Sequence, residues 1–323
     1  MNSFGKLFNI QIYGESHGPS IGLIVDGMKP GITIDYDLIN KDLHRRRPKH
    51  IGETPRIERD LYQLESGVVD NITTGGPILI RIPNENIKSS DYDFKDTPRP
   101  SHTDYVTMVK YQGHNTLPGS GHFSGRLTTP IVIAGSLAKM MYPYEIESEF
   151  IQVGLKKDNE PLDDYIKQVQ DAGNSVGAIL KVTIKGVKPG LGEPFFNGVE
   201  SVISSILYSI PGIKGVSFGI GFEGVQLLGS QFNDPIIDQF GTTKTNHSGG
   251  INGGITNGNE LVVNCFIRPA SSIRMPQETY NFKTNKLETI KIKGRHDAFF
   301  ARRAMVVVEN AIMIALADLN LRA

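Results

Sequence analysis

Gly14-Glu15-Ser16-His17-Gly18 places a carboxylate, a hydroxyl and an imidazole side by side in a segment that two glycines allow to turn tightly. These groups serve acid–base and nucleophilic chemistry. In an extended chain adjacent side chains point to opposite sides, so Ser16 and His17 do not read as a nucleophile with its own base. His17 reads instead as a proton donor or acceptor acting alone. A glycine-rich polar loop is also what an ordinary turn looks like, and that reading stands beside the chemical one.

His44, Arg45, Arg46, Arg47, Lys49 and His50, followed by Arg56 and Arg59, form the densest basic run in a chain whose 34 basic and 34 acidic residues cancel. The run closes a predicted helix, where each cation complements the carbonyl end for about 0.3–1 kcal/mol. That accounts for one or two of them. Consecutive arginines splay around a helix, so one or two reach a site, and the guanidinium fork matches carboxylates and phosphates in paired hydrogen bonds. The candidate partners are a small multiply charged anion, a phosphate ester held without chemistry, and a nucleic acid. The lack of interleaved aromatics and the neutral whole weigh against the last.

Further polar islands follow. Arg99-Pro100-Ser101-His102-Thr103-Asp104 sets His102 where a loop becomes a helix, as a cap or as a working imidazole. The loop from Gly119 through His122, Phe123, Ser124 and Gly125 to Arg126 has the glycine content of a phosphate cradle but fits no nucleotide fingerprint. The glycines of 246–254 and the run Arg268-Pro269-Ala270-Ser271-Ser272 would let backbone approach a flat ligand closely. Asp297, in Gly294-Arg295-His296-Asp297, precedes a long apolar helix and is either its N-cap or a carboxylate presented to a site. No cluster has metal-ligand spacing.

These islands need a scaffold. Apolar runs at 7–13, 21–27, 77–83, 178–187, 215–219, 223–228 and 261–267 read as strands, which puts the first motif at a hairpin tip. Helices are predicted to begin near Asp35, Thr129-Pro130, Asn197 and Asp297, and the last is apolar around more than half its circumference, which requires burial on several sides. Ser20-Ile21-Gly22 with Gly27-Met28-Lys29-Pro30-Gly31 is echoed by Ser175-Val176-Gly177 with Gly186-Val187-Lys188-Pro189-Gly190, which suggests two pseudo-symmetric halves. With no linker composition, residues 1–323 are expected to form a single domain of mixed α and β structure. The lone Cys265 lies in an apolar run and reads as core; with no disulfide, signal core or uninterrupted apolar span, the expected location is cytoplasmic, without membrane.

In this order, GESHG, HRRRP, RPSHTD, GHFSGR, SIPGIKGV, GSQFND, NHSGGINGGI, RPASSI and GRHD resemble the chorismate synthase family across nearly the whole chain. The resemblance implies an α+β fold with helices sandwiched between antiparallel β-sheets, and a homotetramer. It implies a carbon–oxygen lyase that converts 5-enolpyruvylshikimate 3-phosphate into chorismate and phosphate by a 1,4-elimination requiring reduced FMN. NADPH is a candidate reductant; the absence of a dinucleotide fingerprint favours an external flavin reductase.

By the same resemblance His17 matches the histidine that protonates the departing phosphate, His102 the one serving the reduced flavin, and Asp297 the carboxylate placed to receive a proton from it. Substrate contacts carry over to Ser16, Arg45, Arg46, Arg126 and Arg295. Cofactor contacts carry over to Arg46, His122, Phe123, Ser124, Pro211, Gly212, Gly253, Arg268, Pro269, Ala270, Ser271, Ser272 and Arg295. Where many members read Arg-Ser-Ser-Ala-Arg, this chain has His122-Phe123-Ser124-Gly125-Arg126, and Arg268 stands where many have lysine. The rival reading is a phosphate-ester or nucleic-acid binding module that uses Arg45 to Lys49.

Overall fold

The computed structural model describes residues 2–54, 58–85, 94–116, 118–292 and 296–323. Its first half runs through β1 (Ser3–Phe4), β2 (Asn9–Gly14), β3 (Ser20–Asp26), α1 (Tyr36–Arg46), β4 (Gln63–Leu64), the hairpin β5 (Val68–Val69) and β6 (Ile72–Thr73), β7 (Ile78–Pro83), α2 (Asp104–Lys110) and α3 (Thr128–Met141). The second half runs through β8 (Glu145–Val153), α4 (Leu162–Asp171), β9 (Ala178–Lys185), α5 (Val199–Ser209), β10 (Ile213–Phe218) and the single-turn α6 (Gly229–Phe232). It continues with the hairpin β11 (Ile251–Asn252) and β12 (Ile255–Thr256), β13 (Leu261–Ile267), the hairpin β14 (Gln277–Asn281) and β15 (Lys286–Ile290), and α7 (Ala301–Arg322).

One sheet has the order β1-β2-β3-β7-β4 and the other β8-β9-β13-β10, all neighbours antiparallel. Setting β1 aside, the two orders are the same once the halves are matched in chain order. Alternation puts Ile21, Leu23 and Val25 of β3 and Ile78, Ile80 and Ile82 of β7 on one inner face, and Leu180, Val182 and Ile184 of β9 with Leu261, Val263 and Cys265 of β13 on the other. Burial pushes the Cys265 thiol up to about 12, so it stays protonated and acts as core.

Between the sheets α3 packs on α7, α1 on α3 and α5 on α7, and one cluster of buried side chains runs through both halves. Helix α7 is long and apolar enough to cross a membrane, yet 83% of its apolar window is buried inside the protein. This is the burial on several sides that its pattern predicts.

The sequence echo corresponds to a repeated clasp. The Thr73 hydroxyl donates to Lys29 C=O and accepts from Ile32 N–H, and Gly31 N–H donates to Thr73 C=O. Thr256 repeats each bond with Lys188, Leu191 and Gly190. The halves are therefore alike in hydrogen bonding as well as strand order.

Local signals explain several boundaries. The Asp35 carboxylate accepts from Leu38 N–H and starts α1, and Pro130 lies in the first turn of α3. The strand expected at 223–228 is instead a 3₁₀ turn over Gly221–Gln226: flanking glycines permit tight coiling, and Phe222 and Val225 both face outward, so no apolar side exists to pack on a sheet. Helix α7 begins only after Phe300, so Asp297 is not its N-cap.

Candidate active site

The C-terminal end of α1, the N-terminal ends of α3 and α7, and the loops bearing His17, His102 and residues 119–126, 210–214 and 268–272 enclose a cleft of about 660 Å³. That volume lies within the range of roughly 300–1,000 Å³ usual for small-molecule sites. Its described lining includes the cations Arg46, Arg47, Arg99, Arg126, Lys214, Arg268 and Arg303 against the carboxylates of Glu58, Asp60 and Asp297. A chain of zero net charge thus concentrates positive charge in one concavity, where low-dielectric walls strengthen its pull on anions.

The His17 loop joins β2 to β3 and closes as a turn in which Gly18 N–H donates to Glu15 C=O, while Ser16 N–H donates to Gly121 C=O. A turn, unlike the extended loop first expected, does not send Ser16 and His17 to opposite sides. A Cβ on Gly119 would sit 2.6 Å from His17 Nε2 and 3.0 Å from Ser16 Oγ, so only glycine lets the 119–121 backbone back both groups. Ser120 adopts φ +66°, a left-handed conformation costly for a residue with a side chain.

His102 is oriented from behind. Its Nδ1 lies 2.7 Å from Asp104 Oδ1; a carboxylate there only accepts, so Nδ1–H donates and Nε2 is left to the cleft, 3.4 Å from Ser120 Oγ. Arg99 grips both oxygens of Asp104 at 2.8 Å and donates to Ser272 Oγ at 3.1 Å. Burial favours a neutral Asp104, but hydrogen bonds from Arg99 and His102 outweigh it and hold the carboxyl well below the usual carboxylate range.

Arg46 and Arg126 share Asp60. Arg46 Nη1 lies 3.5 Å from Asp60 Oδ2, its Nε donates to Thr128 Oγ1 at 3.1 Å, and its Nη2 donates to Gly125 C=O at 2.9 Å. Arg126 Nη1 donates to Asp60 Oδ1 and its Nε to Asn84 Oδ1. Burial, against Asp60 and reinforced by the charges of Arg303 and Arg126, lowers the Arg46 guanidinium to about 10, so it remains charged at neutral pH. An anion arriving in this cluster would relieve that repulsion.

Asp297 Oδ1 accepts from Thr54 N–H at 2.8 Å and from Arg303 Nη1 at 3.2 Å, and Arg303 Nε donates to Arg46 C=O. Arg303 therefore links the carboxylate to the arginine pair. Beside it, burial pushes the His296 imidazole below its ordinary value.

Of the residues named from sequence, the cleft lining brings together His17, His102, Asp297, Arg46, Arg126, Phe123, Ser124, Pro211, Gly212 and the run Arg268 to Ser272. It does not bring in Arg45, whose fork takes both oxygens of Glu309 at 2.6 and 2.7 Å, on the face of α1 turned toward α7. Ser16 is buried behind the lining; His122 Nδ1 donates to Gly14 C=O at 2.8 Å, with its Nε2 3.2 Å from Asn2 Oδ1; Gly253 sits in the β11–β12 turn. Arg295, like Arg56, lies outside the described residues. With Arg45 ion-paired and Arg46 buried, the basic run offers no continuous exposed face to a nucleic acid. Sequence reading missed Asp60, Arg99 and Arg303 as members of the site. Each stands outside a glycine-rich island or was read only as a neighbour, and nothing sets Asp60 apart from the nearby Glu53 and Glu58 in the sequence.

A sequence model of the family described as chorismate synthase matches residues 8–321. The chain is similar to a chorismate synthase of Chitinophaga pinensis, 44% identical over 99% of this chain and 97% of that protein. It is similar to one of Thermococcus kodakarensis, 37% identical over 98% and 97% respectively. A solved structure described as a crystal structure of chorismate synthase superposes with a TM-score of 0.74 at 25% identity, covering 98% of this chain and 93% of that one.

Proposed function

The chain belongs to the chorismate synthase family, whose members are lyases, and from that premise we propose that its cleft converts 5-enolpyruvylshikimate 3-phosphate into chorismate and phosphate with reduced FMN bound beside the substrate. The observation that carries the proposal is the convergence of His17, His102 and Asp297 on one cationic cleft built around the Arg46–Asp60–Arg126 cluster.

The residues present fit both ligands. The substrate carries a phosphate and two carboxylates, which suits paired guanidinium donors. The Pro211-Gly212 backbone, Phe123, Ser124 and the 268–272 run offer a mixed apolar and polar surface for a flavin, and His296 Nε2, in the lining, is a buried polar atom without a partner among the described residues. Reduced FMN, when bound, supplies electron density and a proton-accepting nitrogen for a C–H bond that no carbonyl activates.

In the elimination the substrate loses a proton and its phosphate, and a new double bond forms. Arg46 and Arg126 bind and orient the anionic groups. His17 delivers a proton from Nε2 to the departing phosphate. His102, its Nδ1–H fixed on Asp104, keeps Nε2 available to the cofactor side. Asp297, aimed by Thr54 N–H and Arg303, is the carboxylate that takes up a proton at the cleft.

Anaerobic incubation of the protein with the enolpyruvyl substrate and dithionite-reduced FMN tests this. Phosphate release and chorismate absorbance should rise together, and neither rising refutes the proposal. NADPH with oxidised FMN alone should give no product if an external reductase is required. A cytoplasmic location fits a buried, unpaired Cys265. Homotetramer formation would bury Phe195, Phe196, Phe222 and Phe240, which are 78–91% exposed in a single chain, and light scattering would measure it.

A further inference from the structure

Asn84 follows directly after β7, and its side chain joins the His17 loop to Arg126. Its Nδ2 donates to Glu15 C=O at 3.0 Å and to Gly18 C=O at 2.8 Å. Those carbonyls lie on either side of Ser16 and His17, so both amide protons are spent closing the turn that presents the imidazole. Its Oδ1 accepts from Arg126 Nε at 3.1 Å, and its backbone N–H donates to Pro19 C=O.

We propose that Asn84 is a positioning residue that fixes the distance between the His17 imidazole and the Arg126 guanidinium, so that acid and anion clamp address the same leaving group. Only a carboxamide meets the demands of this place. Two donors must face carbonyl oxygens at one end and one acceptor must face a cation at the other. A carboxylate would satisfy Arg126 but repel Glu15 C=O and Gly18 C=O; an apolar side chain would serve neither end. The backbone is held too, since Ser20 pairs with Pro83 and the chain enters position 84 from the same sheet that carries the loop. The bracket is therefore rooted in the β3–β7 pairing, which places His17 and Arg126 relative to the rigid part of the molecule.

This inference rests on the proposed roles of His17 and Arg126, and its test separates the two. Asn84→Asp preserves shape and the Arg126 contact while removing both donors to the turn. Phosphate release should slow about 10- to 100-fold, as a small displacement of a working group does, with FMN affinity by fluorescence quenching unchanged. In a His17→Ala background the same change should slow release no further, because its effect passes through His17. Hydrogen exchange in the ligand-free protein should show the amides of residues 15–18 losing protection while α7 keeps it. Asn84→Ala, which adds no charge, should give the same exchange pattern.

Multiplicative slowing in the double variant, or unchanged protection of the turn, overturns the proposal. If the wild-type protein makes no product, the functional reading fails, while the exchange measurement still decides whether Asn84 holds the loop.

Discussion

The β2–β3 and β8–β9 connections occupy the same place in the two matching sheets, yet one has five residues (15–19) and the other 24 (154–177). The short one presents His17. The long one contains α4, whose Ile166 would meet a Cβ on Gly52 at 2.3 Å and whose Asp163 pairs with Arg302 at the start of α7. Gly52 C=O in turn accepts from Ala298 and Phe299 N–H, which fastens the segment that carries Asp297. On the proposed function, one of the two matching connections supplies chemistry and the other braces the segment that carries Asp297. The two halves share the strand order and the threonine clasps and differ in the connections that carry the candidate site.

That comparison breaks most severely at Asp60, which has no counterpart described in the second half. Asp60→Asn keeps the shape but leaves Arg46 and Arg126 buried without their shared counter-charge. Removing one partner of a buried ion pair typically costs about 3–5 kcal/mol, and urea unfolding should show it. A loss under 1 kcal/mol would mean that other groups neutralise the cluster.

The threonine clasps sharpen the likeness of the halves. Thr73→Val and Thr256→Val each strip one hydroxyl from a matched set of backbone partners, at about 1–3 kcal/mol apiece. The two losses should be similar, with phosphate release near the wild-type rate in both. A clasp that costs nothing in one half would break the symmetry.

The smallest effect lies beside Asp297. Burial lowers the His296 pKa, so just below the ordinary histidine value the unfolded chain holds more protons than the folded one. Stability should therefore fall as pH drops through that range and be fully regained above it. His296→Asn should flatten this limb of the pH–stability curve; an unaltered limb would assign it to other groups.

Much of this arrangement was readable in the chain because short-range rules govern it. Asp35 capped α1 as its residue type suggests, alternation located β3, β9 and β13, and successive arginines at about 100° per residue send Arg46 into the cleft and Arg45 toward Glu309. The rest depends on contacts between residues distant in sequence. Nothing near Asp60 announces that it will meet Arg126, and nothing near Asn84 announces the His17 turn. Strand β8 is absent from the expected strands; three glutamates, Glu145, Glu147 and Glu149, alternate there with Ile146 and Phe150, which pack against the core. Asp297 could be read two ways from sequence; the three residues between it and α7 decide against the cap.

On the proposed function, the first-half hairpin turn provides the acid for phosphate departure while other residues of the cleft hold the cofactor. Anaerobic phosphate release by His17→Ala with reduced FMN, alongside FMN binding by fluorescence quenching, tests it most directly. Release should fall about 100- to 10,000-fold, the usual loss for one general acid, with FMN bound as in the wild type. Release at the wild-type rate would contradict the account.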